Sequence, residues 1–177
     1  MISSHLDQVT LVNEQDEVIG SMDKVEAHRG EGKLHRAISV FLFNAQGELL
    51  IQQRSAKKIV GALQWANTCC GNVRPNETYL ECAQRRLREE LGIVGVHLTP
   101  MTKFTYQVRC NEEFSENEID QVFKGVFDGQ ADANADEVHQ VEWIRFSDFL
   151  KGVKDKSRSF APWVYEMYQK GVLYECN

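Results

Sequence analysis

The residues best suited to chemistry lie in the segment 71–93, where arginines and carboxylates recur at helical spacing. Arg86 and Glu90 are four residues apart, so on a helix they share one face. There a carboxylate can hold Mg²⁺, and a neighbouring guanidinium can bind phosphate oxygens as a fork. The segment is therefore suited to gripping a diphosphate, although an amphipathic helix with a solvated charged face shows the same pattern.

Two glutamates further along the chain could bind a metal ion. Glu116 and Glu118 are two residues apart, so on a strand their side chains point to one face and can converge on one cation. An acidic turn explains the pair equally well, because other acidic residues, Asp120 among them, lie nearby. Taken alone, His28 and His35 are more often surface and core residues than ligands.

Strand and helix patterns must position these residues. Segments 8–12 and 18–22 predict one hairpin, 38–43 and 49–53 a second, and segments 103–109, 119–127 and 138–144 further strands. Segments 146–150 and 163–170 predict helices, and 128–136 a surface loop. In the segment 71–93, Leu80, Ala83, Leu87 and Leu91 form an apolar stripe, Asn76 can cap the helix start, and Gly92 suits its end. These elements predict an α/β sandwich with mixed strands, in one domain spanning 1–177.

Composition limits the classes of function. The chain has 177 residues, a net charge of −6 and a pI near 5.4, and no basic run that would track nucleic acid. There is no apolar run of membrane-spanning length, and the five cysteines lack zinc-type spacing. We therefore expect a reduced, cytoplasmic protein with no nucleic-acid or membrane partner, and the sequence does not indicate an oligomeric state.

The spacing of the segment 71–93 resembles the Nudix box. Gly71, five residues, Glu77 and seven residues precede the run Arg85-Arg86-Leu87-Arg88-Glu89-Glu90-Leu91-Gly92-Ile93. In the usual pattern a glutamate follows the first arginine, whereas this chain has Arg86 there. The resemblance implies a Nudix-type α/β/α sandwich that grips a diphosphate without cleaving it.

Further motifs resemble type I isopentenyl diphosphate isomerases, from about residue 9 to about residue 163. They are the runs 34–44, Trp65-Ala66-Asn67-Thr68-Cys69-Cys70-Gly71, Glu116-Asn117-Glu118 after Tyr106, and Phe160-Ala161-Pro162-Trp163. That family also carries arginine at the position of Arg86. The resemblance implies an isomerase that moves a double bond between isopentenyl and dimethylallyl diphosphate in isoprenoid biosynthesis, with a small prenyl diphosphate as substrate.

The resemblance also implies roles for individual residues. Cys70 and Glu118 would be the proton-transfer pair, with Tyr106 orienting or relaying the proton and Trp163 presenting its ring to a carbocation. The phosphates would contact Lys24, Arg54, Lys58, Arg85 and Arg86, and Glu90 would hold the Mg²⁺ that bridges them. A second divalent cation, Mn²⁺ or Mg²⁺ with Zn²⁺ as an alternative, would be bound by His28, His35, Glu116, Glu118 and Asn72.

The chain departs from the isomerase pattern at two places. Family members usually have a histidine at the position of Asn72, and an amide oxygen is a weaker ligand than imidazole for borderline metals. They often carry Trp-Pro-Gly where this chain has Gly61-Ala62-Leu63. Two other classes therefore stay open: a Nudix hydrolase of an organic diphosphate, favoured by Glu89 and Glu90, and a non-catalytic prenyl-diphosphate binder.

Overall fold

A computed structural model describes residues 8–176, so both ends of the predicted domain lie outside the described residues. The strands are β1 (Gln8–Val12), β2 (Val18–Asp23), β3 (His35–Phe43), β4 (Glu48–Arg54), β5 (Trp65–Ala66), β6 (Cys69–Asn72), β7 (Leu98–Arg109), β8 (Ser115–Val126) and β9 (Val138–Arg145). The helices are α1 (Lys24–His28), α2 (Tyr79–Leu91), α3 (Phe146–Asp155), α4 (Pro162–Gln169) and α5 (Val172–Glu175). Every predicted strand and helix is present. The sequence patterns did not predict α1, β5, β6 or α5.

Strand β3 is the centre of the sheet. It pairs with β8 in parallel over its whole length, from His35 opposite Glu118 to Phe43 opposite Val126. On its other side it pairs antiparallel with β6, and its ends contact β1 and β4. The hairpins β1–β2 and β7–β8 and the pair β4–β9 are antiparallel, so the sheet is mixed as predicted.

Alternate residues of β3 enter two different cores. Val40 and Leu42 pack with α2 on one face of the sheet, whereas Phe41 and Phe43 pack with α3, α4 and α5 on the other. This period-two division of a buried strand between two helical layers produces the predicted α/β/α sandwich. Among the described residues no helix is long and apolar enough to span a bilayer.

Helix α2 corrects two details of the sequence prediction. Its N-cap is Thr78, which forms a capping box with Glu81, whereas Asn76 precedes the helix in a left-handed turn with φ of 64°. The stripe facing the sheet contains Cys82 in place of Leu80, whose side chain is exposed. The packing of α2 against the sheet therefore buries a face centred on Cys82, Ala83, Leu87 and Leu91, which leaves Leu80 at its edge. Gly92 ends the helix in the predicted left-handed conformation.

Candidate active site

A cavity of about 290 Å³ lies where α1, α2, α4 and the ends of the central strands meet. Most of the predicted site residues line its wall: Lys24, His28, Arg54, Lys58, Cys70, Asn72, Arg86, Tyr106, Glu116, Glu118 and Trp163. His35 lies directly behind the wall, against Glu118. Residues separated by more than a hundred positions in the chain therefore share one cavity.

Strand register explains how the chemically capable side chains come together. Cys70 of β6 lies opposite Ser39 of β3, and Glu118 of β8 lies opposite His35, which is also in β3. Because β3 lies between β6 and β8, Cys70 and Glu118 reach the cavity from strands on either side of it. Tyr106 lies opposite Glu118 on β7 and donates a hydrogen bond to its Oε2.

The two adjacent cysteines have different environments. Cys70 lines the cavity, and its thiol donates to Asn67 Oδ1 at 3.1 Å. Cys69 is fully buried on the other side of the strand, with its Sγ 3.4 Å from Glu90 Oε2. Burial and the neighbouring Asp120 raise the pKa of Cys70 to about 12, so it is a protonated thiol at neutral pH.

The two histidines are oriented by backbone carbonyl groups. His28 Nδ1 lies 2.6 Å from Lys24 O, and His35 Nδ1 lies 2.7 Å from Lys33 O. Each Nδ1 therefore carries the proton, because only the N–H form can donate to a carbonyl. This tautomer leaves each Nε2 with a lone pair, which is the arrangement of a metal-ligating histidine.

These lone pairs meet two carboxylates in a buried cluster. One ligand atom from each of His28, His35, Glu116 and Glu118 lies within 4.8 Å of the others. His28 Nε2 is 2.9 Å from Glu116 Oε2, which nonetheless lacks a well-aligned hydrogen bond. Adjacent ligands of a six-coordinate ion with bonds of about 2.1 Å are about 3 Å apart, so this donor set fits a divalent cation.

Asn72 reaches the same cluster. Its Nδ2 is 3.0 Å from both His35 Nε2 and Glu118 Oε1. Rotating the amide by 180° exchanges nitrogen and oxygen and would present an oxygen ligand to a cation. Burial and the neighbouring Glu116 raise the pKa of Glu118, so this carboxyl can hold a proton more readily than an exposed glutamate.

The cavity wall also carries four cationic side chains. Lys24, Arg54, Lys58 and Arg86 all line it. The protein atoms around the Lys24 amine, followed by the neighbouring Lys58 and Arg86, lower its pKa. The Arg54 guanidinium lies over the Trp163 ring at 4.7 Å, which places an aromatic surface beside this cationic wall.

Gly71 determines how Arg86 approaches the cavity. A Cβ added at Gly71 would lie 2.5 Å from Arg86 Cγ, so only glycine lets the arginine stem cross β6. The glycine that begins the box and the arginine in its centre are therefore parts of one packing arrangement.

Two predicted phosphate-site residues lie outside this wall. Arg85 binds both carboxylate oxygens of Glu77, at 2.6 and 2.9 Å, and so ties the loop before α2 to the helix. Glu90 is buried, pairs with Arg86 through Oε1, and accepts from Gln52 Nε2 at 2.7 Å through Oε2. Both side chains already have protein partners in positions behind the cavity.

Sequence reasoning treated Asp120 as ordinary local charge, yet it lines the cavity. It is 1% exposed and accepts a hydrogen bond of 2.7 Å from Ser39 Oγ, which in turn lies 3.7 Å from Cys70 Sγ. Its other oxygen has no hydrogen-bond partner among the described residues. The period-two continuation of Glu116 and Glu118 was the signal that could have identified it.

Comparisons with known proteins agree with this geometry. Residues 33–164 match the NUDIX domain. The crystal structure of DR0079 from Deinococcus radiodurans superposes with a TM-score of 0.77 at 25% identity, covering 92% of this chain and 98% of that one. The MutT protein of Methanosarcina mazei superposes with a TM-score of 0.61 at 19% identity, over 77% of this chain and 91% of that one, and supports the fold.

Sequence relatives identify a narrower group. The chain is 38% identical to isopentenyl-diphosphate Delta-isomerase 2 of Aromatoleum aromaticum, over 89% of this chain and 82% of the relative. It is 37% identical to the isopentenyl-diphosphate Delta-isomerase of Serratia proteamaculans, over 89% and 87%. The chain therefore belongs to the NUDIX domain family and, within it, to the isopentenyl-diphosphate Delta-isomerases.

Proposed function

We propose that this protein interconverts isopentenyl diphosphate and dimethylallyl diphosphate, as part of isoprenoid biosynthesis. The observation that carries the proposal is one cavity lined by two chemically distinct sets of side chains. Four of them are cations, and the others include a thiol, a buried carboxyl and an indole. A prenyl diphosphate has the matching division, an anionic head and a short apolar tail.

The cationic part would hold the diphosphate. Lys24, Arg54, Lys58 and Arg86 can share its charge, and their convergence draws the anion in despite the acidic protein. We propose that Arg85 supports the loop before α2, because its guanidinium is already bound to Glu77. Glu90, which pairs with Arg86 behind the wall, would help to hold Mg²⁺, and that ion would supply positive charge to the phosphates.

The other part would transfer protons to and from carbon. An unactivated alkene must be protonated at its terminal carbon, giving a tertiary carbocation, and must then lose a proton from the neighbouring methylene. We assign these transfers to Cys70 and Glu118, which reach the cavity from strands on either side of β3. Tyr106 holds the Glu118 carboxyl in place, and Trp163 offers its π face to the cation.

The residues around His28 and Glu116 would hold a divalent cation next to Glu118. With Asn72 in place of a third imidazole, we propose that the site favours Mn²⁺ or Mg²⁺ over Zn²⁺. A bound cation would supply positive charge that stabilises the carboxylate form of Glu118. Glu118 itself exchanges the proton, and His28 and His35 keep the cluster oriented through their Nδ1–H bonds.

One incubation tests the function against its alternatives. The protein is supplied with isopentenyl diphosphate and Mg²⁺, and isomer and free phosphate are measured together. The proposal predicts dimethylallyl diphosphate without phosphate. Phosphate release at an ordinary enzymatic rate, roughly 1 per second or more, would indicate a hydrolase instead. Neither product would indicate a binding protein.

A further inference from the structure

Glu137 places a carboxylate inside the cationic part of the cavity. Its Oε2 lies 3.1 Å from Arg86 Nη2 and also accepts from Lys58 Nζ. Lys58 and Arg86 side chains are 16% and 12% exposed, so both ion pairs are largely shielded from solvent. Glu137 thus binds two of the cations that the proposed function assigns to the diphosphate.

The backbone holds this carboxylate in position. The Glu137 carbonyl accepts from Ser55 N at 3.0 Å, and its N–H donates to Asn134 O at 2.9 Å. The next residue, Val138, is buried and begins β9. Glu137 therefore belongs to the fixed frame of the site, whereas its side chain alone reaches the cations.

Charge keeps the ion pairs intact at neutral pH. Burial opposes ionisation of Glu137, but Arg86 and Lys58 outweigh it and hold its pKa at about 2. Arg86 also has a buried Nε without an acceptor among the described residues, so it retains a donor for a further anion.

We propose that Glu137 is a specificity-determining residue that competes with phosphate oxygens for Lys58 and Arg86. The inference rests on the proposed function, because it takes these cations as the diphosphate subsite. A carboxylate or a single phosphate group has few oxygens and displaces the Glu137 carboxylate poorly, whereas a diphosphate can contact several cations at once. Glu137 thereby makes the subsite selective for diphosphates over inorganic phosphate and carboxylates.

Calorimetric titration with inorganic pyrophosphate and with inorganic phosphate, in EDTA without divalent cations, tests the inference. Glu137→Gln keeps the shape of the side chain and removes its charge. We expect roughly tenfold tighter pyrophosphate binding, the effect of about 1.4 kcal/mol, with a larger relative gain for phosphate. Glu137→Asp, one methylene shorter, should give a smaller gain, and thermal unfolding checks that both variants are folded.

Asp136→Asn is the matched control. Asp136 pairs with Lys57, and both also line the cavity, but their side chains are 72% and 71% exposed, so removing this carboxylate should change pyrophosphate affinity much less than Glu137→Gln does. Equal or weaker binding by Glu137→Gln in EDTA would overturn the inference. Weaker pyrophosphate binding by Glu137→Gln in Mg²⁺-containing buffer alone would also overturn the inference, because Glu137 would then be a metal ligand. An isomerase assay of the unaltered protein separately tests the proposed function.

Discussion

At the scale of single residues, side-chain direction gives the adjacent residues Cys69 and Cys70 different environments, although both are cysteines. Cys69 and Cys70 are adjacent on β6, so they point to opposite faces of the sheet. Cys70 meets the cavity, and Cys69 meets Glu90 in the core under α2. A single register position therefore decides which thiol can reach a substrate.

We expect Cys70→Ala to abolish isomerisation while the fold is kept. Losing a positioned acid or base typically costs a factor of about 10² to 10⁴ in rate, and Cys70 is the thiol that lines the cavity. Cys69→Ala is the control and should retain most of the activity, with some loss of stability from its buried site. Rates are read from conversion of isopentenyl diphosphate. Equal tolerance of the two changes would refute the assignment.

The metal cluster gives a second prediction at this scale. Asn72→His should raise Zn²⁺ affinity at least about tenfold, because imidazole is a better ligand than an amide for borderline metals. The position is suited to this change, since Asn72 Nδ2 already lies 3.0 Å from His35 Nε2. Metal content and competition titrations at matched pH measure the effect.

Asn117→His is the matched control for the metal cluster. Asn117 lies between Glu116 and Glu118 but on the other face of β8, where its amide donates to Gly32 O. Equal Zn²⁺ affinity for the Asn72→His variant and the unaltered protein would show that the cation does not sit beside Asn72.

The sequence predicted part of this site and missed another part for a definable reason. Local periodicity was enough to place Glu116 and Glu118 on one face and to pair Arg86 with Glu90. Whether His35 and Cys70 join them depends on the pairing of β3 with β6 and β8, which is non-local. Asp120 was missed because its charge was interpreted without the strand period that makes it face the same cavity.

At the scale of elements, the ion pair between Glu77 and Arg85 helps to hold the loop before α2. Glu77 accepts from Arg85 through both oxygens and also from Arg74 N at 2.9 Å. Burial would raise the pKa of Glu77, but the Arg85 and Arg74 hydrogen bonds outweigh it and lower that pKa. The charged form of Glu77 therefore stabilises the folded state.

This shift predicts how stability depends on pH. Because the folded pKa lies below the ordinary value of 4.5, the stabilisation is complete above about pH 5 and is lost as the pH falls through the folded pKa. Glu77→Gln should lower the free energy of unfolding at neutral pH and flatten its decrease as the pH falls below about 5. Urea unfolding at several pH values measures both effects. Parallel curves for the two proteins would show that Glu77 does not titrate against Arg85.

At the scale of the whole molecule, the topology concentrates cations in a chain with a net charge of −6. Lys24 comes from α1, Arg54 ends β4, Lys58 follows it, and Arg86 lies in α2. The four cations come from three separate parts of the chain, so the sequence pattern alone could not show that these side chains meet. The sandwich fold and the family resemblance were predictable, whereas the electrostatic character of the cavity comes from how distant elements pack.

The cavity is cationic although the whole chain is acidic, and this contrast predicts how salt affects substrate binding. At about 0.1 M ionic strength the screening length is about 10 Å, so distant acidic residues are already screened and the cavity cations are not. Raising potassium acetate towards about 1 M shortens that length to about 3 Å and weakens the remaining attraction. The KM for isopentenyl diphosphate should therefore rise with salt at saturating Mg²⁺, while kcat changes little, because the diphosphate is fully bound at saturating substrate. Steady-state rates over this series measure both constants. If KM instead fell with added salt, repulsion by the acidic surface would dominate, and Lys24, Arg54, Lys58 and Arg86 would not form the diphosphate subsite.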